Sequence, residues 1–203
     1  MNLVKQQYIE TALELYKRLG FKSVTVDDLA KSLGISKKTL YDHFKNKEEI
    51  VIESVKYMLN KLYVKMEESK NISDNAILQI VHLIYLMENF IRGMNTICYY
   101  DLQRFYPKAF KIIKEYQDKI MFIYIKENLL KGINEGYYRE EIDVEIVARF
   151  RMESSLYTFQ NDLFPMPAFD HIKVMNQLIA IYLYGIATPK GQKLIKKHLD
   201  KKK

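Results

Sequence analysis

An all-α chain is predicted from three features. Apolar residues recur at helical spacing nearly throughout, no period-two alternation is long enough for a strand, and only seven glycines and four prolines interrupt the 203 residues. A chain of this length can bury a full core, either as one large domain or as a small one followed by a larger one. Capping residues and breakers then mark the elements in order. A first helix runs from Leu3 to Leu19 and stops at Gly20, with Ile9, Ala12, Leu13 and Tyr16 on its apolar face. Thr25, with Asp28 three residues on, caps a second helix, and Ser36 caps a third. Asn46, with Glu49 three residues on, caps a fourth that continues to about Ser69. A fifth starts at Ser73 and ends near Gly93, and a short sixth covers Met94 to Phe105. Pro107 opens a long seventh helix that closes at Gly136, the eighth covers 143–163, the ninth covers 170–186, and "TPKG" starts a lysine-rich last helix.

Composition narrows the function classes. With 48% hydrophobic and 28% charged residues the chain is ordinary for a soluble globular protein. Its single cysteine, Cys98, rules out a disulfide framework within the chain and fits a reducing cytoplasm as buried filler. The N-terminal segment carries Lys5, Glu10, Glu14, Lys17 and Arg18, unlike a signal peptide, and the most apolar run, "AILQIVHLIYLMENF", is short and interrupted by His82 and Glu88. A cytoplasmic protein with no membrane partner is expected. The net charge of +7 is concentrated at one end, because residues 188–203 hold seven lysines and one aspartate while the remainder has 25 basic and 24 acidic residues. That tail reads as a solvated end, so bulk charge does not argue for nucleic acid.

Residue placement does. In "KSVTVDDLAKSLGISKKTLYDHFKNKEEIV", residues 22–51, Leu40 and Phe44 lie four apart and must face the core together with Leu29 and Leu33. Gly34 stands at the end of the second helix, where a left-handed residue turns the chain into the third. This is a helix-turn-helix. Lys38, Thr39 and Asp42 fall on its outer side, Tyr41 and His43 on the flanks, and Lys37 in the first turn. The second helix of such a unit enters the major groove, where Lys37 and Lys38 can donate to guanine and the Thr39 methyl can touch thymine. Tyr41, His43 and Lys47 are placed to reach phosphates. Asp42 can pair with Lys38 or accept from cytosine N4.

The ordered set "YIETALELYKRLGFKSVTVDDLAKSLGISKKTLYDHFKNKEEIV", residues 8–52, resembles the DNA-binding domain of the tetracycline-repressor (TetR) family of bacterial transcriptional regulators. The features that carry the resemblance are the alanine and aromatic residue before the first glycine, the "TV..LAK..GIS" helix and turn, "TLY.HF", and the "NKEE" start of the fourth helix. The resemblance implies DNA contacts from Thr25, Ser36, Lys37, Lys38, Thr39, Tyr41, His43 and Lys47, with Asp42 departing from the aromatic or basic residue common there. It also implies a DNA-binding domain at 1–47 and a larger helical ligand-binding and dimerisation domain at 48–203.

Beyond the fourth helix the resemblance is architectural. It implies a homodimer through the eighth and ninth helices. Val144, Val147, Phe150, Ser154 and Tyr157 on one, and Ile172, Met175, Ile179, Tyr182 and Ile186 on the other, either form that contact or face their own core. Tyr99, Tyr100, Phe105, Met121, Phe122, Tyr124 and Phe159 can line a cavity for an apolar or amphipathic effector, although aromatics at this spacing are more often plain core. Glu88, Arg92, Arg104 and Glu153 can orient a polar group, or sit on the surface or in mutual salt bridges. His82 reads as a satisfied core histidine. The effector residues singled out are Glu88, Arg92, Tyr99, Met121, Tyr124 and Phe159. The expected function is therefore a sequence-specific regulator of a palindromic double-stranded operator, a repressor released by a small molecule. A regulator or architectural protein that senses nothing is one alternative, and a helical small-molecule carrier or enzyme is another. The chain has no HExxH, no paired His/Cys spacing, no phosphate-binding glycine loop and no GxSxG. No enzymatic activity, catalytic residue, metal or cofactor is expected.

Overall fold

A computed structural model describes residues 3–92, 94–95, 97–155, 157–159, 163–165 and 168–199, without the side chains of residues 89–91 and 159. Among these residues the elements are α1 (Leu3–Leu19), α2 (Val26–Leu33), α3 (Lys37–Tyr41), α4 (Lys47–Asn71), α5 (Ala76–Ile91), α6 (Ile97–Phe105), α7 (Pro107–Tyr116), α8 (Phe122–Asn134), α9 (Val144–Ser154), α10 (His171–Ile186) and α11 (Pro189–Leu199). No strand occurs among the described residues, and extended pairing is limited to an isolated antiparallel bridge between Tyr138 and Ala187. None of the described helices is long and apolar enough to cross a membrane.

The chain forms two compact units, Met1–Leu62 with Gly93–Tyr116, and Tyr63–Arg92 with Gln117–Lys203. The unit that holds the helix-turn-helix therefore extends beyond residue 47, for a packing reason. Three short helices bury too little apolar surface to stand alone. Ile50, Val51, Val55 and Leu59 of α4 and Cys98, Leu102, Ala109 and Ile113 of α6 and α7 complete one core with Ile9, Ala12, Tyr16, Leu29, Leu40 and Phe44.

In the second unit α8 packs on α9 and α5, and α10 packs on α5 and α11. A buried polar relay holds the start of α5. The Tyr138 hydroxyl donates to Asn128 Oδ1 at 3.1 Å, and Asn128 Nδ2 donates to the Ala76 carbonyl at 2.9 Å. Glu135 Oε2 accepts the Ala76 N–H at 2.8 Å. Gly132 is required here, because a Cβ on it would lie 2.1 Å from the Tyr138 ring.

Several elements differ from the sequence expectation. Asn75, not Ser73, caps α5 by accepting the Leu78 N–H at 2.9 Å. Ser73 instead donates to the Ser69 carbonyl and meets His82 Nδ1 at 2.7 Å, which satisfies that histidine. The long helix from Pro107 is interrupted by a π-turn at Gln117–Met121, where the wider hydrogen-bonding pattern shifts the helical face. The eighth expected helix, 143–163, stops at Ser154 and is followed by a 3-10 turn at Tyr157–Phe159.

The two apolar stripes also separate. Met175, Ile179, Tyr182 and Ile186 of α10 are buried within their own chain, so that stripe is core rather than a partner face. The outward apolar side chains of these helices are Ile146 (66% exposed), Phe150 (61%) and Ile181 (60%). Replacing Tyr138 with phenylalanine leaves the buried Asn128 Oδ1 without its donor. The variant is expected to lose about 1–3 kcal/mol of stability in denaturant titration. Wild-type stability in Tyr138→Phe would show that the relay does not hold α5.

Candidate nucleic-acid interface

The helix pair is built from reciprocal caps. The Thr25 side chain accepts the Asp28 N–H at 3.1 Å, and Asp28 Oδ2 accepts the Thr25 N–H at 2.8 Å and its hydroxyl at 2.7 Å. Those bonds, led by the Thr25 hydroxyl, hold the Asp28 carboxyl below its ordinary range. Gly34 adopts φ 67° and ψ 28°, and Ile35 N–H reaches back to the Ala30 carbonyl at 3.0 Å, which closes the end of α2. Ser36 then caps α3 by accepting the Thr39 N–H at 3.0 Å, and its hydroxyl also meets the Thr39 hydroxyl at 2.9 Å. Asn46 accepts the Glu49 N–H at 2.9 Å at the start of α4.

Leu29, Leu40 and Phe44 are buried as their spacing predicts. Lys37, Lys38, Tyr41 and Asp42 are consequently exposed, with Thr39 and His43 half-buried beside them. Lys37 Nζ pairs with Asp27 Oδ2 at 2.6 Å, which raises the ammonium pKa. The Lys38–Asp42 pair that the sequence allows does not form: Asp42 occupies the end of α3, and Lys38 carries its charge into solvent. The His43 ring meets Tyr8 edge-on at 5.2 Å between centroids. Lys47 is half-buried and donates to the Lys22 carbonyl at 3.0 Å. Burial pushes its pKa down, while Asp101 and Asp28 draw it up.

Sequence reasoning missed what holds this unit from the other side. Asp101 of α6 is buried, and its Oδ2 accepts the Lys22 N–H at 2.9 Å. The Tyr106 hydroxyl donates to the Phe21 carbonyl at 3.2 Å, the Cys98 thiol to the Tyr16 carbonyl at 3.2 Å, and the Asn95 N–H to the Lys17 carbonyl at 2.7 Å. Burial, reinforced by Asp101, pushes the Cys98 thiol up to about 12, so this cysteine is buried filler. Gly20 permits the approach, since at φ 88° a Cβ would lie 2.7 Å from the Asp101 carboxylate. An acid within "ICYYDLQRF" is the only trace of this in the sequence. Its partner is a backbone N–H, which has no signature.

The six residues expected at an effector site lie on different elements. Glu88 of α5 is buried and accepts from Asn176 Nδ2 at 2.7 Å, while Arg92 is exposed just beyond that helix. Tyr124 of α8 is buried, and its hydroxyl is spent on Ser69 Oγ at 2.6 Å. Met121 is half-buried at the end of the π-turn. Tyr99 belongs to the first unit, where its ring meets Phe110 edge-on at 5.5 Å. The Phe159 side chain lies outside the described residues. Among the described residues, no three His, Cys, Asp or Glu side chains are grouped to hold a metal.

The depressed Asp28 pKa makes the α2 cap sensitive to acid. Its contribution is full above the ordinary value of 3.8 and is lost as pH falls through the lower folded value. Thr25→Val should therefore flatten the acid limb of stability against pH below about 4. An unchanged limb in that variant would show that the cap carries no pH dependence.

Comparison with known proteins bears on this geometry. Residues 9–53 match the family described as bacterial regulatory proteins, tetR family. The HTH-type transcriptional repressor KstR2 of Mycobacterium tuberculosis is 28% identical over 156 residues, which cover 74% of this chain and 76% of that protein. The solved structure of that ketosteroid transcriptional regulator superposes with a TM-score of 0.63 at 26% identity, covering 93% of this chain and 97% of the other. The biofilm operon regulator IcaR of Staphylococcus aureus is 33% identical over 94 residues, 44% of this chain and 50% of that one. Regulators of this family bind operator DNA and act as dimers with small-molecule effectors. The match falls on the reciprocally capped helix pair whose outer face carries Lys37, Lys38 and Tyr41, and over that segment the chain is similar to the DNA-binding transcriptional regulators of the tetR family.

Proposed function

We propose that the chain is a repressor that binds a palindromic operator as a symmetric dimer and is released when an apolar or amphipathic small molecule binds its C-terminal part. The observation that carries the reading is the outward side of α3, turned away from the buried Leu40, where two lysines and a threonine form the first turn of a short, firmly capped helix and a tyrosine ends it. Lys37 and Lys38 read guanine, with Lys37 exchanging Asp27 for the base edge, and Thr39 reads thymine. Thr25, Ser36, Tyr41, His43 and Lys47 engage the backbone and set the register.

Two such helices must lie about 34–36 Å apart to enter successive major grooves, which calls for a two-fold dimer. The exposed apolar residues Ile146 and Phe150 on α9 and Ile181 on α10 make these two helices the proposed dimer face. Release requires the effector to prefer one arrangement of the dimer, with a coupling of about 1–3 kcal/mol. The named repressors among the relatives support the direction of control.

Selection of sites from random duplex DNA, with the salt dependence recorded, tests the reading. A palindrome with half-sites one helical turn apart is expected, and salt-sensitive binding with no enriched sequence would refute it. Against the selected operator, Lys37→Ala and Thr39→Ala should each cost about 1–3 kcal/mol and relax preference at one position. Lys47→Met should weaken all sequences alike and lower the salt slope by about 1.

A further inference from the structure

In the second unit a guanidinium is partly withdrawn from water with no anion paired to it among the described residues. Arg151 of α9 is half-buried, and its charged end lies over the ring of Tyr182, itself buried on α10, at 5.4 Å from the centroid. Among the described residues no carboxylate pairs with it. Its neighbours in the unit show the usual arrangement: Arg149 pairs with Glu145 at 2.7 Å, Lys126 with Glu145 at 3.0 Å, and Lys70 with Glu127 at 2.8 Å. Burial lowers the Arg151 pKa, the mark of a charge held where water solvates it poorly.

An aromatic face returns less than the hydration a guanidinium gives up, so the chain carries this group at a cost. A planar cation on such a support is suited to a carboxylate or phosphoryl group, which it can grip through two parallel N–H bonds. The two helices that carry this pair bury apolar side chains, Ala148 and Met152 on α9 and Met175 and Ile179 on α10. We propose that Arg151 is the anion-recognition point for the effector, which is therefore an amphipathic molecule with a carboxylate or phosphoryl head and an apolar body. The inference rests on the ligand-responsive reading above and adds the chemical class of the ligand.

The test uses the full-length protein and straight-chain alkanoates and alkyl phosphates, each against the alcohol of the same length, in thermal unfolding and calorimetry. At least one anion series should bind about tenfold more tightly than its alcohols, and the series that binds better identifies the head group. Arg151→Met should unfold at or above the wild-type temperature, because an uncompensated charge is gone, and should lose the preference for anions. If Arg151→Met does not fold, Arg151→Lys decides instead: it keeps the charge without the fork, and its affinity for the preferred anion should fall about tenfold. Equal binding of alcohols and anions, no binding of either anion series, or an anion preference that survives in the variant would each overturn the proposal. So would a shift of Arg151→Met to monomer in sedimentation, which would place the missing anion on a second copy of the chain. Operator binding without additive is measured alongside. If it persists while the anion arms fail, the ligand class is wrong and the DNA-binding reading stands, whereas its absence counts against that reading.

Discussion

Burial of Leu40 and Phe44 against Leu29 decides which side of α3 is presented outward. The helix has five residues, too few for one or two turns of hydrogen bonds to offset the entropy of ordering them. Its existence and its rotation about its own axis therefore both derive from two side chains sunk into a common core and from Gly34, whose left-handed backbone sets the angle of entry. The caps at Thr25 and Ser36 satisfy the helix ends without using the outer face. Lys37, Lys38 and Tyr41 are consequently left for a partner.

That core is larger than the motif. It takes in the first half of α4 and the α6–α7 segment, which, with Asn95 just before it, grips the last turn of α1 and the chain that follows through Asp101, Tyr106, Cys98 and Asn95. Three of these bonds end on main-chain carbonyls and one on a main-chain N–H, so they position the backbone from the end of α1, at Tyr16 and Lys17, to the turn at Phe21 and Lys22. Lys47 is tied to the same turn through the Lys22 carbonyl, which links a proposed phosphate contact to a segment outside the motif. Movement of α6 relative to α1 would strain these bonds first.

Polar groups inside the second unit fall into two kinds. Tyr138 with Asn128, His82 with Ser73, and Tyr124 with Ser69 are satisfied pairs that specify how helices meet. Arg151 differs, since its support is an aromatic ring and it lacks an opposite charge among the described residues. A satisfied pair is complete in itself, whereas a half-buried cation without a paired carboxylate gains most from an added anion.

Local sequence was enough for the helix-turn-helix. Its caps, its glycine turn and the four-residue spacing of Leu40 and Phe44 are short-range patterns, and each stands where the pattern places it. Boundaries that depend on competition between neighbours were less legible: Asn75 displaced Ser73 as the cap of α5, and a π-turn broke the helix that begins at Pro107. Apolar periodicity located α10 but not the destination of its stripe, because a row of Met175, Ile179, Tyr182 and Ile186 suits a partner helix and an internal core equally well. Only the tertiary structure assigned that row inward and left Ile181 facing out. It alone also brought Asp101 to the Lys22 N–H and Arg151 to the Tyr182 ring, since residues far apart in the chain leave no local periodicity by which their meeting can be read.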